Sequence, residues 1–289
     1  MRTMPDALAA ASHHEVDMAL VAIENSIEGT VNVSLDSLIF DNNLLIQREV
    51  VIPIQLGLLA PKGVKQKDIK RIVSFPVAAA QCREFFASAL PDAEIVASNS
   101  TSDAVRQVSK SSSRNTAALG TLLAADIYGL EVLVPDVSDH EHNQTRFVLA
   151  APSGVPSPTG HDKTSIVVFQ SADKPGSLHS ILGQFSARNI NLSKLESRPT
   201  KRGLGDYCFA IDLEGHVDDE VVADCLRDLH VQARDVKFLG SYPAAGAHGP
   251  RKRREAVAAW RDADEWITQL RGQVLPREKR RRRRLEVIK

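Results

Sequence analysis

The stretch DMALVAIENSIEG, residues 17–29, passes within a few positions from a short apolar run to a polar turn closed by glycine. The run contains β-branched Val21 and Ile23 and is too brief for a buried helix, so it reads as a buried strand of an α/β sheet. A helix should follow the turn, because Val31, Leu35, Leu38 and Ile39 recur at helical spacing. Further along, LLIQREVVIPIQLGLLAP (44–61) reads as two extended segments around Pro53, the second ended by Pro61 and Gly63. RIVSF (71–75) is a strand leading into the helix AAAQCREFFASAL (78–90). AEIVAS (93–98) is a strand before the helix TSDAVRQVSK (101–110), whose N-cap is Thr101 or Ser102 and whose Asp103 lies near the positive end of the dipole. NTAALG and LLAADIYG follow as strand and helix, and VLVP and FVLAAP close the region as strands. Such alternation predicts a mostly parallel sheet with helices on its faces.

The segment PSGVPSPTGHDKT (152–164) is dense in Pro, Gly and Ser and nearly free of apolar residues, the composition of a linker. A second unit begins after it. SIVVFQ, PGSLHSILGQFSARN, INLSKLESRP, DYCFAIDLEG, DDEVVADCLRDLH and ARDVKFLGSYP read in turn as strand, helix, strand, strand, helix and strand. This is βαββαβ, a four-stranded antiparallel sheet with two helices on one face. A further helix, EAVAAWRDADEWITQLR, carries a partial apolar stripe of Val257, Trp260, Ile267 and Leu270.

Composition bounds what such a chain can do. At 289 residues it should hold two or three units of about 100 residues each. Its 43% apolar and 25% charged content is ordinary for a soluble protein, and no apolar run approaches the roughly 20 residues a membrane helix needs. Cys82, Cys208 and Cys225 are far apart without a CxxC pair, which argues against a disulfide framework or a structural zinc site and for a reducing cytoplasm. MRTMPDALAAASHHEVD has one arginine but no continuous apolar h-region and does not read as a secretory signal. The net charge is zero, but PREKRRRRRLEVIK (276–289) holds eight basic and two acidic residues, leaving the other 275 net acidic by six. The basic run has no interleaved aromatics and reads as a solvated, disordered tail, so nucleic acid is not the expected partner. HHE (13–15) and DHEH (139–142) lack the helical pairing or Cys/His spacing of a metal centre and read as solvated side chains.

Three segments, AIENSIEGTV (22–31), SFPVAAAQCR (74–83) and HNQTRF (142–147), precede a βαββαβ unit that carries KPGSL (174–178) and LESRP (195–199). In this combination the chain resembles prephenate dehydratase followed by its ACT regulatory domain. Over residues 17–243 the resemblance implies an α/β two-lobed catalytic domain of the type II periplasmic-binding-protein kind, then an α+β ferredoxin-like ACT domain. The domains are placed at 1–151, with a linker at 152–163, at 164–243 for ACT, and at 244–289 for the terminal helix and tail. Family members begin with a strand and a Gly-Pro-x-Gly-Thr-Phe turn, which MRTMPDALAAASHH does not match, so the catalytic domain is read as incomplete at its N-terminus.

The implied reaction is the decarboxylating dehydration of prephenate to phenylpyruvate in phenylalanine synthesis, catalysed by a cytoplasmic lyase. Prephenate is a dianion whose ring becomes aromatic as carboxylate and hydroxyl leave, so no metal, nucleotide or redox cofactor is called for. What remains is a cation to hold a carboxylate and a donor for the departing hydroxyl. Arg146 and Thr145 fit those roles, because a guanidinium grips carboxylate by two parallel hydrogen bonds and a placed hydroxyl can meet developing charge. Phe147 completes the motif. Alone, TRF would read as a plain strand start, with Phe147 entering the core; combined with IENS the functional reading prevails. Threonine is a weak acid, and His140 and His142 are alternative proton donors nearby.

By the same resemblance Glu24, Asn25 and Ser26 line the substrate site, with Ser74, Gln81, Ser100, Thr101 and Asn143 as further polar contacts. Each also has a structural reading as a turn residue, a helix cap or a solvated side chain. Phe75 and Val77 stand where the family has histidine and glutamine. Cys82, on an apolar helix face, reads as buried filler. In the ACT unit Gly176, Ser177, Leu178 and His179, with Glu196, Ser197, Arg198 and Pro199, are expected to bind phenylalanine between paired domains, His179 replacing an apolar residue. That pairing implies a homodimer or homotetramer. The alternatives are arogenate dehydratase and, from another class, a non-catalytic amino-acid-binding regulator.

Overall fold

The computed structural model describes residues 1, 3–140, 142–171, 174–203, 205–246 and 251–273. Its contacts divide it into two units, one formed by Met1–Leu44 with Arg48–Ser153, the other by Leu45–Gln47 with the chain from Gly154 on.

The first unit opens with α1 (Met4–Ser12), in a segment to which sequence reading assigned no element. Thr3 and Asp6 start it by exchanging hydrogen bonds, the Thr3 hydroxyl accepting from the Asp6 amide at 3.2 Å and the Asp6 carboxylate from the Thr3 amide at 3.1 Å. The apolar run becomes β1 (Ala19–Asn25), which buries Ala19, Val21 and Ile23 but leaves Leu20 55% exposed, so the strand is covered on one face only. β2 (Gly29–Thr30) pairs back on its end. The expected helix is α2 (Asn32–Asp36), continued by a π-helical turn at Ser37–Asp41, and buries Leu35, Leu38 and Ile39.

β3 (Leu45–Pro53) and β4 (Gly57–Ala60) flank the break at Pro53, and β5 (Arg71–Ser74) follows. The single helix expected over 78–90 is two: α3 (Pro76–Ala80) and α4 (Arg83–Ala89), parted at Gln81 and Cys82. The cause lies far along the chain. Asp139 donates its amide to the Gln81 carbonyl at 2.7 Å, and its carboxylate caps α4 by accepting from the Glu84 amide at 3.1 Å. β6 (Glu94–Ala97) leads to α5 (Thr101–Ser109), whose N-cap is Ser100, not Thr101 or Ser102; its hydroxyl accepts from the Asp103 amide at 3.0 Å. β7 (Thr116–Gly120) packs so closely on α5 that a Cβ at Gly120 would fall 2.3 Å from a Val105 methyl. α6 (Leu122–Tyr128), β8 (Glu131–Val134) and β9 (Gln144–Ala151) complete the unit.

These strands make two sheets, ordered β2-β1-β9-β3 and β6-β5-β7-β4-β8, one for each lobe. β5 pairs in parallel with β6 and β7; β4 runs against β7 and β8, and β1 against β2 and β9. The expectation of a mostly parallel sheet is therefore corrected: the five-stranded sheet is mixed, with β5 parallel to both its neighbours and β4 antiparallel to both of its own, and in the other sheet β1 is antiparallel to both strands beside it. After the second sheet is built, the chain returns to the first as β9, and a returning strand meets β1 head to tail.

In the second unit β10 (Asp162–Phe169), α7 (Ser177–Ser186), β11 (Leu192–Pro199), β12 (Tyr207–Glu214), α8 (Glu220–Gln232) and β13 (Asp235–Pro243) appear in the expected order. The sheet β11-β12-β10-β13 is antiparallel throughout. One of its faces, with Ile166, Val168, Phe209 and Ile211, packs on Ile181 and Phe185 of α7 and on Val222 and Leu229 of α8. The Pro- and Gly-rich segment ahead of β10 is tied down. The buried Asp162 carboxylate accepts from the Thr159 and Gly160 amides, each at 2.9 Å, and the His216 ring Nε2 lies 2.9 Å from the Pro156 carbonyl. α9 (Arg251–Gly272) lies against α8, with Ile267 half-buried and Leu270 40% exposed. The side chains of Val257 and Trp260, and the basic tail, fall outside the described residues.

Candidate active site

The antiparallel register of β1 and β9 sets Glu24 opposite Arg146 and Asn25 opposite Thr145. Two segments 120 residues apart in sequence thus share one strand pair, with a bulge at Ala22 and Glu24 that re-aims the end of β1.

Asn25 organises the turn after β1. Its side-chain oxygen accepts from the backbone amides of Ile27 at 2.9 Å and Glu28 at 3.0 Å, which fixes which way the carboxamide faces. Its nitrogen must then point across the strands. It donates to the Asn143 side-chain oxygen at 2.8 Å and to Thr145 Oγ1 at 3.0 Å, with the Gln144 carbonyl a third acceptor at 3.2 Å. Asn143, 4% exposed, passes its own nitrogen to Gln81 Oε1 at 2.9 Å. Gln81, 5% exposed, donates in turn to Glu28 Oε1 at 3.2 Å. Because the Glu28 amide already donates to Asn25, the four residues close a ring in which every hydrogen bond runs in one sense. Thr145 hangs from it as an acceptor, so its hydroxyl hydrogen is left to point elsewhere. Gln81 sits at the gap between α3 and α4, so the helix break supplies the ring member contributed by the second lobe.

Ser26 ties the same turn to β9. Its amide donates to the Gln144 carbonyl at 2.9 Å, its hydroxyl accepts from the Gln144 amide at 2.9 Å and donates to the His142 carbonyl at 3.3 Å. His142 occupies the left-handed region at φ 64°, which turns Asn143 inward while leaving its own ring exposed. His140 is exposed as well.

Arg146 is held rather than solvated. Its Nε donates to Glu49 Oε2 at 2.6 Å and its Nη1 to Glu24 Oε2 at 3.2 Å. The two partners differ: the Glu49 side chain is 2% exposed and that of Glu24 36%. One pair is buried and short, the other longer and open to water. Phe147 is half-buried beside them on β9.

The other expected contacts have local partners of their own. Ser74 is fully buried and donates its hydroxyl to the Phe75 carbonyl at 2.9 Å, and the Ser100 hydroxyl serves α5 as its cap, with Thr101 the first residue of that helix. Cys82, 0% exposed, has its thiol pushed up to about 12 by burial and, secondarily, by the nearby carboxylates of Asp139 and Asp136, the opposite of an activated nucleophile. Among the described residues no group of three or more His, Cys, Asp or Glu is arranged to hold a metal.

Glu28 and Glu49 went unread in the sequence. Glu28 sits in the turn ENSIEG and could have been found only by asking which acceptor ends the amide chain. Glu49 lies on β3, where a charged residue is expected to face water; its burial follows from Arg146, 97 residues later.

In the second unit a cavity of about 600 Å³ is lined by Gly176, Ser177, Leu178, His179, Ser197 and also by Lys174 and Tyr207. Gly176 caps α7 at φ 86°, a backbone that a side chain would strain, and Ser177 donates to Gln170 Oε1 at 2.7 Å. Glu196 and Arg198 alternate with Ser197 along β11 and face the other side, and Pro199 ends the strand; none of the three lines the cavity.

Comparison with known proteins places this geometry. The family model described as prephenate dehydratase matches residues 1–153, and that of the ACT domain residues 164–231. A prephenate dehydratase of Mycolicibacterium vanbaalenii is 42% identical over 244 residues, 84% of this chain and 77% of the relative. The structure of prephenate dehydratase from Arthrobacter aurescens in complex with L-Phe superposes with a TM-score of 0.82 at 39% identity, covering 93% of this chain and 89% of that one. A protein described as a quorum quenching acylase, GqqA, is also similar, with a TM-score of 0.75, 29% identity, and 85% and 88% covered. On this agreement along most of its length, the chain belongs to the prephenate dehydratase family, its catalytic unit followed by an ACT domain.

Proposed function

We propose that the chain converts prephenate to phenylpyruvate and that phenylalanine binding at the ACT unit restrains it. The observation that carries the chemical reading is the hydrogen bond from Asn25 to Thr145 Oγ1 at 3.0 Å. A hydroxyl that already accepts is oriented to donate, and the bond it can help break is that of the leaving ring hydroxyl. In the reaction the bond to the ring carboxylate breaks, its electron pair moves through the ring, and the hydroxyl departs with a proton as water. Thr145 donates to that oxygen as charge develops; solvent restores the proton. Aromatisation lowers the demand on the donor, which is why a weak acid suffices. Preorganised donation of this kind is worth about 3 kcal/mol.

Arg146 receives a substrate carboxylate. Its bond to buried Glu49 holds the guanidinium in place, and the more exposed Glu24 is the partner a substrate carboxylate displaces. Phenylalanine is assigned to the cavity at Gly176–His179 and Ser197, its carboxylate facing the free amides that begin α7. The reading carries with it a cytoplasmic enzyme that pairs through its ACT units as a dimer or tetramer, with arogenate as the competing substrate.

The test is phenylpyruvate formation from prephenate and from arogenate by the full chain, with and without phenylalanine. Turnover of prephenate that phenylalanine lowers supports the proposal; turnover of arogenate alone changes the substrate. Binding of phenylalanine without turnover of either makes the chain a regulator.

A further inference from the structure

We infer that Glu28 is a positioning residue for the dehydratase site, acting on Thr145 through the three carboxamides of Gln81, Asn143 and Asn25; the inference rests on the dehydratase reading above. Its basis is direction. A carboxamide can be turned over, and if Gln81 reversed, its nitrogen would face that of Asn143; Asn143 would then have to turn and set its own nitrogen against that of Asn25, drawing the Asn25 nitrogen out of line with Thr145. Asn25 is set by the Ile27 and Glu28 amides. Asn143 is set by Asn25, and Gln81 by Asn143. At the far end the ring needs a group that only accepts, and an ionised carboxylate offers no hydrogen. Glu28 Oε1 meets that requirement 3.2 Å from Gln81 Nε2. Glu28 takes part twice, by its backbone amide at one end and its side chain at the other, and hydrogen bonds aligned in one sense polarise each other. Glu28 itself is exposed while Gln81 and Asn143 are buried, so it lies where the ring meets water and shields the turn of the last amide.

The role predicts an ordering that a merely structural surface residue would not produce. Glu28→Ala leaves Gln81 without its acceptor and should lower kcat roughly tenfold with KM within about twofold of the parent, the loss of one hydrogen bond to a charged group. Glu28→Gln can still present an oxygen and should recover most of kcat. Glu28→Lys puts donor against donor and should fall below Glu28→Ala. The experiment measures prephenate turnover for the parent and the three variants of the full chain and, in parallel, the side-chain amide protons of Gln81, Asn143 and Asn25 by NMR. In the parent these protons should be shifted and slow to exchange, and in Glu28→Ala and Glu28→Lys they should lose that protection. Equal kcat for all variants, or a change confined to KM, overturns the inference. A parent that turns over no prephenate defeats the dehydratase reading, and the amide protons then decide the ring alone: unchanged protection in Glu28→Ala overturns it.

Discussion

Asn25 and Thr145 face each other across antiparallel strands, with the carboxamide nitrogen of one 3.0 Å from the hydroxyl oxygen of the other. The bond assigns donor and acceptor without ambiguity, since the Asn25 oxygen is taken by two backbone amides. Thr145→Ala should therefore lower kcat by about 10²–10³-fold, the loss seen when one preorganised donor is removed. Thr145→Ser keeps the hydroxyl and should retain much of the activity. Phenylpyruvate absorbance, with a thermal melt to show the fold intact, checks both.

Arg146→Ala should leave Glu49 as a buried charge without its nearest cation. Breaking a buried pair from one side costs about 3–5 kcal/mol, whereas removing both charges is far milder. In urea denaturation Arg146→Ala should lose stability by roughly the lower figure, and adding Glu49→Gln should restore a good part of it. A double variant no more stable than the single would show that Glu49 is neutralised by other means.

His142 is a non-glycine residue at φ 64° with an exposed ring. His142→Gly should be neutral or raise stability by up to about 1 kcal/mol, because glycine adopts that backbone without strain, and it should keep turnover. A collapse of kcat in this variant would instead make the imidazole the proton donor.

Burial raises both Cys82 and Cys225 from the usual 9.0 to about 12. The sign follows from the neutral thiol being favoured in the folded state. Their contribution is whole below about pH 9, where unfolded thiols are still protonated, and is lost as pH rises toward 12. Stability should fall above pH 9, less steeply in Cys82→Ala with Cys225→Ala than in the parent, and the native chain should react slowly with a thiol reagent until it unfolds.

Gly176→Ala forces a side chain onto a backbone at φ 86° where α7 begins. The expected result is weaker phenylalanine binding by calorimetry, on the order of fivefold, from about 1 kcal/mol of backbone strain. Unchanged affinity would move the effector away from this turn.

Much of this architecture is visible in the sequence because it follows from local pattern. The six elements of the ACT unit are short apolar strand runs and helical stripes separated by turn residues, and each appears where that pattern puts it. The junction of ENS with TRF was reachable only through family likeness, since nothing local announces that β9 returns to lie beside β1. The break between α3 and α4 was hidden for the same reason: AAAQCREFFASAL is a good helix on its own, and the residue that divides it, Asp139, is 55 positions beyond Glu84. Glu49 illustrates the converse. A charge on a strand signals an outward face, and only its distant partner shows that it points in.

A site whose proton donor is aimed by carboxamides is exposed to a slow chemical clock. Hydrolysis of the Asn25 side chain to an acid would exchange a donor for an acceptor at the one position that faces both Asn143 and Thr145. The hydroxyl of Thr145 would then be captured by its neighbour, and aged molecules would stay folded while falling silent. Loss of activity on storage should thus track a mass gain of about one dalton in the peptide carrying Asn25, well before any change in melting temperature.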